Sequence, residues 1–81
     1  MDAVLETATP MPEYRLELMF RNGSRAVVNM ERRVHTLRFA RLALPQVFAT
    51  ARAEGDKVVW QDGGTAFGVY CGELLDAMLM E

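Results

Sequence analysis

The residues able to do chemistry in this chain are one cysteine, one histidine, a few carboxylates beside turns and eight arginines. A structural metal site needs several thiolate, imidazole or carboxylate ligands at close spacing. His35 and Cys71 lie far apart, outside any Cys-x-x-Cys or His-x-x-x-His frame, so no metal is expected. Ser24 has no neighbouring histidine to act as its base. Cys71 precedes Gly72 at the start of a predicted helix, a position that lowers a thiol pKa and favours the thiolate. Its ordinary role is a small apolar residue packed at a strand end, and a thiol enzyme is the least favoured functional reading. Glu54, Asp56 and Asp62 flank turns, where acids serve local hydrogen bonding. The Asp62-Gly63-Gly64 turn lacks the Lys-Ser/Thr pair and the strand–loop–helix frame of a phosphate cradle. No cofactor and no enzymatic activity are expected.

The arginines carry more information. The net charge of −2 hides a basic middle: all nine basic residues lie between Arg15 and Lys57, and only Lys57 is not arginine. Arginine suits bidentate contact with carboxylates or phosphates. Such a run is ordinarily a solvated face paired with acidic termini. Nucleic-acid binding is the weaker functional reading, because the sequence pI of 5.3 lacks the usual basic footprint. Six methionines add adaptable apolar surface, with Met19 facing outward and Met78 and Met80 near the tail.

These residues must be positioned by one small domain. The chain has 81 residues, 51% of them hydrophobic and 25% charged, which describes an ordinary globular unit with a thin core. No long uncharged apolar run spans a membrane. The opening residues carry Asp2 and Glu6 without a basic start, so no secretory signal is expected. With a single cysteine, this points to the cytoplasm. Residues 1–12 are expected to be a flexible segment and 13–81 the domain.

Tyr14 to Phe20 alternates with period two, the mark of a half-buried strand. Arg25 to Met30 follows after an Asn22-Gly23 turn. A two-residue loop would place Arg25 on the core face; a three-residue loop with Gly23 left-handed sets Leu18 against Ala26 and Leu16 against Val28. The second register keeps every large apolar residue of the first strand on one face and is the one expected. Arg15, Met19, Arg25 and Val27 then face outward.

Glu31 to Ala43 holds no clean period and is expected to be an irregular crossover anchored by Leu37, Phe39, Leu42 and Leu44. Residues 46–54 are ambiguous. Pro45 and the alanines favour a short helix, whereas a Gly55-Asp56 turn would pair Ala53 with Val58 and Glu54 with Lys57 as a strand. Lys57 to Gln61 and Thr65 to Tyr70 are strands by β-branched and aromatic content, the second weakened by Gly68. Glu73 to Met80 closes the chain as an amphipathic helix. Trp60 is expected in the core, with a Trp60–Tyr70 platform for stacked bases as the less favoured alternative.

The order of these pieces resembles a family of small bacterial domains of unknown function, numbered 2442. Tyr14, Leu16, Leu18 and Phe20 with Asn22-Gly23 are similar to its strand ending in a Phe-x-Asp/Asn-Gly turn. Phe39, Leu42, Pro45 and Phe48 are similar to its Phe-x-x-Leu-x-x-Pro-x-x-Phe stretch, and Val59-Trp60 with Asp62-Gly63 to its Val-x-Trp-x-x-Gly segment. The likeness covers residues 14–64 and departs after Gly64, where Thr65 to Tyr70 intervenes before Leu74. It implies a compact α+β domain and the strand reading of 49–54. It implies no catalytic residue, and its context implies a regulatory or antitoxin-like role.

The expected fold is therefore α+β: one antiparallel sheet of about four or five strands packed on one or two helices. The expected function is a non-enzymatic protein–protein interaction module in bacterial or phage regulation. Its partner surface would use Arg15, Met19 and Arg25 with Arg32, Arg33, Arg38 and Arg41. An accessory nucleic-acid-binding role is the alternative. Homodimerisation through an open sheet edge or the tail helix is compatible with each reading.

Overall fold

A computed structural model describes residues 4–79, and the side chains as far as Asp76. The expectation about Met78 and Met80 therefore falls outside the described side chains. The fold is α+β, but its strands divide into two three-stranded antiparallel sheets rather than joining in one. The first contains β1 (Leu5–Met11), β2 (Arg15–Phe20) and β3 (Arg25–Asn29), in that order. A crossover with single-turn 3-10 helices at Arg33–His35 and Ala40–Ala43 leads to α1 (Pro45–Phe48). The second sheet contains β4 (Arg52–Glu54), β5 (Lys57–Asp62) and β6 (Thr65–Tyr70), and α2 (Cys71–Leu79) follows directly.

β2 and β3 adopt the three-residue-loop register. Leu16 lies opposite Val28 and Leu18 opposite Ala26. Gly23 takes φ +92°, and the Ser24 N–H donates to Asn22 Oδ1 at 2.9 Å, which closes the turn. Residues 46–54 divide between the two readings. Pro45 starts a single helical turn, after which β4 pairs Ala53 with Val58 and Glu54 with Lys57 around Gly55.

Residues 1–12 were expected to be flexible, yet Leu5–Met11 is a strand paired with β2. A register shift between Leu5 and Thr7 puts the inward residues Leu5 and Ala8 three apart. That bulge breaks the period of two by which a strand announces itself. The β1–β2 connection is strained: Glu13 and Tyr14 both hold positive φ, at 63° and 60°. Two anchors hold it in place. The Tyr14 hydroxyl donates to the Ala43 carbonyl, and its ring meets Phe48 edge-on at 5.4 Å.

The inner faces of the two sheets supply the core. Leu16, Leu18 and Val28 come from the first, Val58, Trp60 and Val69 from the second, and Val34, Leu42, Phe48 and Leu74 from the intervening and final segments. The Leu5 N–H donates to the Gly55 carbonyl at 2.8 Å, tying the sheets together at one edge. Trp60 is fully buried between Phe48 and Phe67, which places it in the core and not on a base-stacking platform.

Candidate interaction surfaces

Each sheet has one face in the core, so the expected surface residues are placed by strand parity. Arg15, Met19 and Arg25 share the outward face of β2–β3. Glu17 lies between them and pairs with Arg25 at 3.5 Å, while Arg15 approaches Glu13 at 3.9 Å. Met19 is half-buried and Val27 is exposed, so apolar and charged groups alternate across this face.

The other four arginines belong to the crossover and lean on different elements. Arg38 donates to the Glu73 carboxylate on α2 and covers the Phe39 ring at 5.1 Å. This bond holds the Glu73 carboxyl below the usual glutamate range and pushes the Arg38 guanidinium further up. Arg41 sits 5.4 Å above the Phe67 ring on β6. Arg32 is exposed and Arg33 half-buried. The single surface expected from the sequence is thus two: the outward face of the first sheet, and a crossover joined to β6 and α2.

The crossover also corrects the core assignment. Phe39 and Leu42 are buried as expected, but Leu37 is 99% exposed and Leu44 48%. Leu37 sits at a loop tip fixed on both sides. Before it, Val34 is buried and the Thr36 hydroxyl donates to the Arg33 carbonyl at 2.7 Å. After it, Phe39 packs edge-on to Phe67 at 5.9 Å while Arg38 is held by Glu73. An apolar side chain is therefore presented to water by an anchored loop. Sequence reasoning missed this because leucine in an aperiodic stretch suggests a core anchor. The available signal was local: Leu37 is a lone apolar residue between Thr36 and Arg38, close to Arg32, Arg33 and His35.

A shallow hollow of about 350 Å3 lies between the β1–β2 turn and α1, lined by residues including Met11, Pro12, Tyr14, Pro45 and Phe48. Cys71 is fully buried, and burial together with the nearby Asp56 pushes its thiol up, away from the thiolate form. Among the described residues, no three His, Cys, Asp or Glu side chains group as metal ligands. Among them too, no helix is long and apolar enough to cross a membrane. No family model, curated protein or solved structure matches this chain.

Proposed function

We propose that this protein is a non-enzymatic protein–protein interaction module, regulatory or antitoxin-like, and that its principal contact is the Leu37 loop. The observation that carries this reading is a fully exposed leucine on an anchored loop. Burying such a side chain in a partner pocket contributes about 1.5–3 kcal/mol. An anchored loop also loses little conformational entropy on binding. Arg32, exposed on the same crossover, suits carboxylates on an acidic partner surface, giving orientation and faster encounter. The outward residues Arg15, Met19 and Arg25 form a second contact face. The regulatory setting is what the resemblance of residues 14–64 to the family numbered 2442 implies, and that resemblance adds no site residue.

Affinity purification from the native host, with Leu37→Ser and Arg32→Glu as controls, tests this reading. A stoichiometric protein lost in both variants supports it. Nucleic acid recovered alone, with binding that falls steeply with salt, favours the accessory nucleic-acid reading instead.

A further inference from the structure

An exposed sheet edge is a template for pairing with another chain, and proteins normally blunt it with charge or proline. Three edge strands here are protected in this way. β1 carries Glu6 and Pro10, β3 begins at Arg25, and β4 is Arg52-Ala53-Glu54. β6 is different. Thr65-Ala66-Phe67-Gly68-Val69-Tyr70 contains neither charge nor proline and, among the described residues, pairs only with β5.

The phase of its free hydrogen-bonding groups follows from the next residue along. The Cys71 N–H donates to the Asp56 carbonyl at 2.8 Å, on the β5 side. Alternation then turns Thr65, Phe67 and Val69 toward β5 and leaves the N–H and C=O of Ala66, Gly68 and Tyr70 pointing off the edge. Among the described residues, no backbone group from another element bonds to these three. All three are exposed, Tyr70 to 54%. Gly68 is not demanded by the fold: its φ is not positive, and an added Cβ would meet Val59 at an ordinary 3.5 Å. Glycine inside a strand often marks the close approach of another backbone.

We propose that the β6 edge pairs antiparallel with the β6 edge of a second copy of this chain, about a two-fold axis at Gly68. A second copy fits because the edge is self-complementary. With Gly68 opposite the partner's Gly68, Ala66 falls opposite the partner's Tyr70, and each of these residues both donates and accepts. β6 itself brings no charge to the axis, and the neighbouring Lys57 ammonium is held over the Tyr70 ring at 4.9 Å. The small side of each pair leaves room for the Tyr70 ring. The two second sheets become one sheet continuous across both copies, and the contact is isologous and closed. It uses backbone groups of β6 and not the Leu37 side chain, so the two readings stand or fall separately.

Light scattering on the full chain gives the direct reading. Wild type is expected at twice the 9.1 kDa chain mass at micromolar concentration. Gly68→Lys and Gly68→Glu each place like charges face to face at the axis and yield folded monomers, and an equimolar mixture of the two recovers the dimer. Gly68→Pro deletes only an outward N–H, keeps the ladder to β5, and is monomeric as well. Leu37→Ser remains dimeric. A monomeric wild type at its highest soluble concentration overturns the proposal. So does a dimer that survives Gly68→Lys, or a mixture of the two folded charge variants that fails to associate.

Discussion

Leu37 and Leu42 are five positions apart in an arginine-rich stretch and look alike in sequence, yet the structure leaves one 99% exposed and the other fully buried. Their substitution should separate sharply. Truncating a buried leucine to alanine costs about 2–5 kcal/mol, from lost transfer energy and the cavity left behind. A domain of 81 residues has about 4–12 kcal/mol in total, so Leu42→Ala removes a large share of it. At about 4–8 °C per kcal/mol for a domain of this size, the melting temperature falls by at least about 8 °C. Leu37→Ser takes nothing out of the core, and its effect stays within about 0.5 kcal/mol. Urea denaturation followed by the fluorescence of the buried Trp60 reads both variants, with the denaturant slope unchanged. A Leu37→Ser variant destabilised as much as Leu42→Ala would refute the assignment of Leu37 to the surface.

Other substitutions test the turns and the titrating groups. Gly23 at φ +92° has open space around it, so Gly23→Ala is penalised by backbone strain alone, about 1–2 kcal/mol. Gly72, at the start of α2, has similar space without a positive φ, and Gly72→Ala raises the melting temperature slightly. The lowered Glu73 carboxyl stabilises the fold above the ordinary glutamate range, and this contribution is lost as pH falls through the depressed folded value. The stability gap between wild type and Glu73→Gln is therefore widest near neutrality and closes in acid, as thermal melts across pH should show. For Cys71 the sign is opposite. Its raised thiol favours folding below the unfolded thiol pKa, and that contribution fades as pH rises through the folded value. Disulfide-exchange reagents should label it slowly at neutral pH in the folded protein and at once in denaturant.

The parts legible in the sequence were those whose information is local. Gly23 and the alternation from Tyr14 to Phe20 specify the β2–β3 register, because a one-residue slip would turn Leu16 and Leu18 to water. Gly55 specifies the β4–β5 pairing in the same way. β1 was hidden by its bulge and by Pro10, which interrupt the alternation. Whether the strands form one sheet or two depends on which edges meet, and no short-range pattern encodes that. The surface was legible in composition and not in layout. Arg15 and Arg25 follow from strand parity, but Arg38 and Arg41 are placed by Glu73 and Phe67, residues distant in sequence. The exposure of Leu37 likewise depends on Val34 and Phe39 holding the loop ends.

A photo-crosslinking amino acid at position 37, introduced in the native host, tests the central claim most directly. One discrete adduct with another protein is expected, absent when the same group replaces Gly64 in the exposed β5–β6 turn, where the φ is not positive and the space is open. No adduct from position 37, or the same adduct from position 64, would contradict the Leu37 contact.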